Sequence, residues 1–125
     1  MNKWLYRRVA KPGPHLTLCL TEEEQHRVTI KMLGQKLGFP TAGAVCHTFT
    51  NETSGELCSV VSVSLHSQER CNAIEMAGLL VHEAVHVWQQ YAQDMGETRP
   101  GDEQEAYAIQ GISQELMAEY ARRIA

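Results

Sequence analysis

The chain has 125 residues, the length of one ordinary domain, and 43% of them are hydrophobic, which is typical of a folded rather than a disordered chain. A formal net charge of −4, with no long basic cluster, predicts no nucleic-acid partner. No apolar run approaches the roughly 18 residues of a membrane span, and charged residues interrupt the apolar N-terminal segment. We therefore expect a cytoplasmic protein without a membrane partner.

Local patterns predict a break, a strand and a helix at the start of the chain. Lys11 to Pro14 is the break, because two prolines flank a glycine, and Leu16 to Leu20 then alternates like a short strand. Thr21 is the predicted N-cap of a helix that ends at Gly38, with Pro40 just beyond. The predicted inner face of that helix consists of its apolar residues, Val28, Ile30, Met32, Leu33 and Leu37.

A hairpin is predicted next. Ala44 to Thr50 and Leu57 to Leu65 are rich in β-branched residues, and the turn residues 51–56 separate them. Serines alternate along much of the second run, so one face of that strand is predicted to be buried and the other polar. The chain has four cysteines without a close C-x-x-C pair, and we expect buried free thiols at Cys19, Cys46, Cys58 and Cys71.

Two helices are predicted for the rest of the chain, over residues 72–95 and 102–123, with the glycines and proline of residues 96–101 forming the turn between them. The apolar stripe of the first helix is Ile74, Ala77, Val81, Val85 and Trp88. The inner face of the second is Ala106, Ile109, Ile112, Leu116 and Tyr120. Together the elements predict a single α+β domain over residues 1–125. The sequence does not indicate whether the protein forms oligomers.

His82 to His86 form an H-E-x-x-H motif inside the first of these helices. Residues i and i+4 share one helical face, so both imidazoles can reach one metal ion, and neutral imidazole suits Zn2+. Glu83 lies about 100° around the helix from His82, where it can take a proton from a metal-activated water and pass it to a leaving amine. The motif predicts zinc-dependent hydrolysis of a peptide bond, with His82 and His86 as ligands and Glu83 as the general base.

A catalytic zinc needs a third protein ligand. The extended H-E-x-x-H-x-x-G-x-x-H motif is absent, since Gln89 and Ala92 occupy the positions of its glycine and last histidine, which excludes a metzincin. The acids around and after the predicted turn are the better source, because an antiparallel helix would bring its first turns back toward the site. These candidates are Glu97, Asp102, Glu103 and Glu105.

The segments from His82 to Gln90 (HEAVHVWQQ) and from Glu103 to Tyr107 (EQEAY) resemble the gluzincin class of zinc metallopeptidases, and small zincin-like domains of bacteria and phages in particular. The resemblance implies a minimal zincin-like fold, a small sheet with a hairpin packed on the active-site helix and a C-terminal helix. It also implies that Glu103 is the third ligand. Tyr107 departs from the pattern, because related enzymes often carry Asp or Asn there to orient a ligand.

Several alternatives stay open. Asp102 can cap the last helix with Glu105 completing a capping-box pair, which leaves Glu103 freer to bind metal, but Glu105 remains the other candidate ligand. Tyr107 can donate to a developing oxyanion or pack against Trp88. His47 and His66 are left outside the predicted site. The substrate is expected to be a peptide or protein. The resemblance implies that it lies along part of Leu57 to Leu65, although an ordinary inner strand with one polar face fits the same residues as well. The rival function is a binding or assembly module that keeps zinc for stability alone.

Overall fold

The computed structural model describes residues 15–51, 54–96 and 101–125. The predicted break at Lys11 to Pro14, the candidate ligand Glu97 and most of the turn before the last helix lie outside these residues. In chain order the elements are β1 (His15–Cys19), α1 (Glu22–Leu33), β2 (Ala44–Thr50), β3 (Leu57–Val63), α2 (Leu65–Arg70), α3 (Ala73–Asp94) and α4 (Asp102–Ile124). The α+β class is confirmed, with three strands and four helices in the described part of the chain.

The three strands form one sheet in the order β1-β3-β2. β2 and β3 pair antiparallel, which confirms the predicted hairpin, while β1 and β3 pair parallel. β3 is therefore the central strand. The prediction that one of its faces is buried and the other polar is wrong, since residues on both faces are buried. Ser59 and Ser62 are fully buried, because a central strand of this small sheet is covered on both faces.

The helix α1 begins as predicted and ends earlier. Thr21 accepts a hydrogen bond from the backbone N–H of Glu24, which confirms the N-cap. The C-cap is Gly34 rather than Gly38, and its φ of 80° is the left-handed conformation that glycine adopts most readily. The predicted inner face is also wrong: Ile30 is 48% exposed, and the fully buried residues of α1 are Gln25 and Thr29.

Gln25 is buried because its side chain holds the chain that follows α1. Its amide Nε2 donates to the backbone oxygens of Leu37 and Gly38, at 2.8 and 3.2 Å. These two hydrogen bonds to the loop favour burial of the face of α1 that carries Gln25. The spacing of apolar residues in the sequence does not indicate such polar contacts.

Helices α3 and α4 pack against each other and against the sheet. Val61 and Val63 of β3 meet Leu80 and Val87 of α3 and Leu116 of α4 in one hydrophobic cluster. The predicted stripe of α3 is rotated from the observed one, since Ile74 is 84% exposed. The buried residues of α3 are Met76, Leu80, Glu83, Ala84, Val87, Trp88, Tyr91 and Ala92.

The sequence does not predict the short helix α2, because the predicted strand continues to Leu65, whereas β3 ends at Val63. Ser64 ends the strand, and its side chain accepts from the backbone N–H of Ser67 as the N-cap of α2.

The bounds of α4 agree with the prediction to within one residue. Its predicted inner face is confirmed only in part, since Ile112 and Leu116 are buried and Ala106 is exposed. Within the described residues, no helix combines the length and apolar character that crossing a membrane requires.

Candidate metal centre

The H-E-x-x-H motif lies in the middle of α3, a helix of 22 residues. A capping box fixes the start of this helix: Asn72 accepts from the backbone N–H of Glu75, and Glu75 accepts from that of Asn72. Since the buried face of α3 packs on the sheet and on α4, His82 and His86 point outward, and both residues are exposed. The helix thus presents the two imidazoles side by side on a rigid element.

The two imidazoles converge. The Nε2 atoms of His82 and His86 are 3.2 Å apart, and the ring planes meet at 77° with centroids 4.8 Å apart. A tetrahedral zinc ion with Zn–N bonds of about 2.0 to 2.1 Å would separate two nitrogen ligands by about 3.3 Å. The spacing of this pair therefore fits two ligands of one zinc ion.

Glu83 occupies a different environment from the histidines. The residue is only 3% exposed, although its side chain borders the cleft. Burial raises the pKa of its carboxyl group above the usual range, and the neighbouring His82 and His86 partly oppose that rise. A buried carboxylate with a raised pKa beside a cleft is the kind of group that serves as a general base.

A cleft of about 450 Å³ opens between α3 and the strand β2. Its wall on the helix side consists of His82, Glu83, His86 and Gln90, and its wall on the strand side is the segment 44–48. A second cavity of about 460 Å³ shares Ala44, His82 and Glu83 with the first. The two cavities therefore form one groove that extends to both sides of the imidazole pair. The other residues around the second cavity are Gly43, Ser67, Cys71, Glu75, Gly78 and Leu79.

Among the described residues, β2 is an edge strand of the sheet, and the backbone groups on its outer side have no partner strand there. Ser64 donates its N–H to Gly43 and Asn51 donates to Glu56, so the odd-numbered residues of β2 are those that pair with β3. In an antiparallel ladder the alternate residues point their N–H and C=O groups the other way. Ala44, Cys46 and Thr48 therefore direct these groups away from β3. The predicted substrate strand, Leu57 to Leu65, has no such edge, because β3 is paired on both sides.

Cys46 brings a thiol to the same cleft. Burial raises its pKa to about 11; the Thr48 hydroxyl, 3.6 Å from Sγ, opposes that rise, and the Glu83 carboxylate adds to it. The four cysteines are free thiols, as predicted, but Cys46 and Cys71 are only partly buried. At neutral pH the Cys46 side chain is a neutral group on the cleft wall.

The structure does not bring Glu103 to the imidazole pair. Within residues 15–51, 54–96 and 101–125, no three side chains of His, Cys, Asp or Glu are grouped so that they could hold one metal ion. Glu105 accepts a hydrogen bond from the Trp88 indole at 2.9 Å, and Glu103, two residues earlier, is exposed about 200° around α4 from it. The predicted capping role of Asp102 is wrong, since Gly101 is the N-cap and makes no side-chain hydrogen bond.

Of the other predicted candidates, Tyr107 is 68% exposed and is absent from the cleft wall. His66 lies exposed on α2, outside the groove. His47 does border the cleft, with its Nε2 3.4 Å from the backbone oxygen of Gly38, although the sequence left it outside the site. Sequence reasoning also missed Gln90 and Gly78, which the four-residue spacing from His86 and His82 could have revealed.

Searches against protein-family models, curated proteins and solved structures found no match to this chain.

Proposed function

We propose that this protein is a small zinc-dependent peptidase that cleaves within an extended polypeptide. The observation that carries the proposal is the 3.2 Å separation of the His82 and His86 Nε2 atoms, with the buried Glu83 carboxylate beside them on a cleft. Two exposed imidazoles fit a zinc ion at this spacing, and the glutamate between them fits a general base. The chemistry of the side chains, rather than overall fold, supports this function.

In the proposed hydrolysis of an amide bond, the zinc ion and Glu83 have different roles. Zinc, when bound, would polarise the substrate carbonyl and lower the pKa of water. Glu83 accepts the proton of the attacking water and later donates it to the leaving amine nitrogen, so the carboxylate ends the cycle as it began. In the metal-free chain, burial raises the pKa of this carboxyl above that of an exposed glutamate.

Glu103 remains our proposed third ligand. Its neighbour Glu105 is occupied by the Trp88 indole, whereas Glu103 is exposed in the first turn of α4. For Glu103 to reach the imidazoles, the first turn of α4 must move. The zincin-like packing of α3, α4 and the sheet belongs to the same proposal and is supported by the antiparallel contact of early α4 with late α3.

We propose that the substrate lies along β2. The outward backbone groups of Ala44, Cys46 and Thr48 can pair with an extended peptide, as in other cases of β-strand addition. Such a peptide would lie opposite the imidazole pair and Glu83, which line the helix side of the same groove. Because the groove continues on both sides of His82, the scissile bond would lie inside the substrate chain rather than at its end.

Cleavage of an unfolded protein tests this proposal. The chain is loaded with zinc and incubated with a reduced and alkylated protein, and new termini are identified by mass spectrometry. We expect internal cuts that stop on chelation, resume when zinc is restored and are absent with His82→Ala. The control His66→Ala changes an exposed histidine outside the groove and should cut like the wild type. Absence of new termini from fully zinc-loaded wild type would refute the peptidase.

A zinc-stabilised binding or assembly module is the second candidate. The observation that favours it is that the described residues bring two imidazoles together without a third ligand. In such a module the same groove would bind a partner without cleaving it, and removal of zinc would unfold the domain.

A further inference from the structure

One ridge of α3 faces the edge of β2. Gly78, His82, His86 and Gln90 follow one another at four-residue steps, which places them in a row along the helix. Gln90 borders the cavity on one side of the imidazole pair, and Gly78 borders the cavity on the other side. The ridge therefore carries a side chain at three positions and none at the fourth.

The backbone of α3 does not require a glycine at position 78. Its φ is not positive, and a Cβ atom added there would meet no atom of another element within 4 Å. Glycine inside a helix is unfavourable relative to alanine because it loses more conformational freedom on folding. Neither a turn nor close packing accounts for Gly78, and what it does provide is open space in the groove, one turn before His82.

The wall around this space is acidic. Glu75 lies one turn before Gly78 on the same cavity, is exposed, and accepts from the backbone of Asn72 through Oε1 only. Of the described residues that line this cavity, none is a lysine or arginine, and the apolar Leu79 is among them. An aliphatic stem could lie against Leu79 while its cationic end reached the Glu75 carboxylate.

The distances along the groove suit a long side chain. Four helical residues rise about 6 Å, so Gly78 lies about two residues of extended chain away from the point opposite His82. Glu75 lies about 4 to 5 Å further along the helix. A substrate residue opposite Gly78 therefore needs a long side chain to reach Glu75, and lysine or arginine has that length.

We propose that the cavity around Gly78 is a subsite for a lysine or arginine side chain of the extended peptide that lies along β2. The missing side chain of Gly78 leaves room for the substrate side chain, and the Glu75 carboxylate pairs with its positive charge. The proposal rests on the proposed function for the identity of the ligand as a peptide, but binding of the side chain does not depend on cleavage.

Peptide binding to a Glu83→Gln variant tests the subsite apart from turnover. The probes are fluorescein-labelled alanine–serine peptides of about eight residues, long enough to span the groove. A single arginine is moved along the peptide and then replaced by citrulline, its neutral isostere. We expect arginine at one position to bind about threefold to fivefold more tightly than citrulline, the size of an exposed ion pair.

Three further variants test separately the contribution of the open volume at Gly78 and that of the Glu75 carboxylate. Glu75→Gln keeps a capping-box side chain but should abolish the preference for arginine over citrulline. Gly78→Leu should weaken binding of the arginine peptide about tenfold while changing an all-alanine–serine peptide little. Gly78→Ala is the matched control, since it alters the helix backbone without filling the cavity, and it should retain most of the preference.

Equal binding of the arginine and citrulline peptides at every position, or an unchanged affinity in Gly78→Leu, would overturn the subsite. The two proposals fail differently. If the wild type never cleaves but the binding pattern appears, the peptidase is refuted and the subsite stands. If the wild type cleaves without regard to basic residues, the subsite is refuted and the peptidase stands.

Discussion

Glu103 and Glu105 lie two residues apart on α4, and the structure gives them different environments. Glu105 satisfies the indole N–H of Trp88, a residue that is 1% exposed, while Glu103 faces away from it and is exposed. The sequence presents the two as similar acids in one helical turn, and only the position of Trp88 separates their roles. Glu105 is a structural residue here, and Glu103 remains a candidate ligand.

This difference predicts the effects of two substitutions on stability. In metal-free protein, Glu105→Ala leaves the buried indole N–H without its partner and should lower the free energy of unfolding by about 1 to 3 kcal/mol. Glu103→Ala removes an exposed side chain and should change it by less than about 0.5 kcal/mol. Urea unfolding followed by tryptophan fluorescence measures both, and equal effects would contradict the assignment.

Cys46 provides a prediction about pH. With a pKa raised to about 11 by burial, roughly one Cys46 thiol in a thousand is ionised at pH 8, against roughly a quarter for an ordinary cysteine. Iodoacetamide should therefore alkylate Cys46 at least about tenfold more slowly than a peptide cysteine, because the greater nucleophilicity of a thiolate with a raised pKa offsets only part of the lost ionisation, and the rate should increase as the pH rises toward the raised pKa. Peptide mapping with chelator present measures the rate. Unfolded protein is the control, and equal rates in the folded and unfolded chains would contradict the burial.

At the scale of elements, local signals located the helices and strands, and tertiary contacts decided which faces they bury. The Thr21 cap and the hairpin were readable because their causes lie within a few residues. The buried face of α1 was not readable, since Gln25 turns inward to bind a loop 12 residues away. For α3, apolar residues occupy more than one stripe, and packing against both the sheet and α4 selected the stripe that leaves Ile74 exposed.

In the candidate site, too, some residues could be predicted from local sequence and others depend on tertiary contacts. His82, Glu83 and His86 were found from spacing alone, because a helix of known pitch fixes their relative positions. The resemblance places the opposite wall of the cleft on β3, but this wall is β2. β3 pairs with β1, which lies far from it in the sequence, and local patterns do not predict such a pairing. Whether Glu103 can act as the third ligand likewise depends on the position of α4 relative to α3.

Gly78 allows a prediction at the level of the helix α3. Gly78→Ala should raise the free energy of unfolding of metal-free protein by roughly 1 kcal/mol, because alanine is the better helix former and no neighbouring element would obstruct its Cβ. Gly96→Ala is the matched control and should lower it, since Gly96 has a φ of 74°. Urea titrations compare the two, and shifts in the same direction would contradict this account of Gly78.

For the molecule as a whole, the hydrophobic cluster and the candidate metal centre are separate. The cluster joins β1, β3, α3 and α4, while His82 and His86 lie outside it on the exposed side of α3. Arg123 of α4 pairs with Glu24 of α1, which also accepts from the backbone of Leu20 at 2.8 Å. These contacts hold the fold without using either imidazole.

Removal of zinc should therefore leave the protein folded. We expect the far-ultraviolet circular dichroism of the chelated protein to match that of the zinc-loaded protein, with a lower midpoint of thermal unfolding because zinc binds the native state. Loss of the helical signal at room temperature on chelation would contradict this expectation and would support the zinc-stabilised module instead.

The central claim is that Glu83 performs proton transfer beside a zinc ion held by His82 and His86, and the Glu83→Gln variant tests it most directly. Zinc content is first measured by native mass spectrometry, and kcat/KM is then compared with that of the wild type on the same peptide. We expect an unchanged zinc content and a kcat/KM that is at least about a hundredfold lower, because the variant lacks its general base. A zinc-loaded variant that cleaves as fast as the wild type would contradict it.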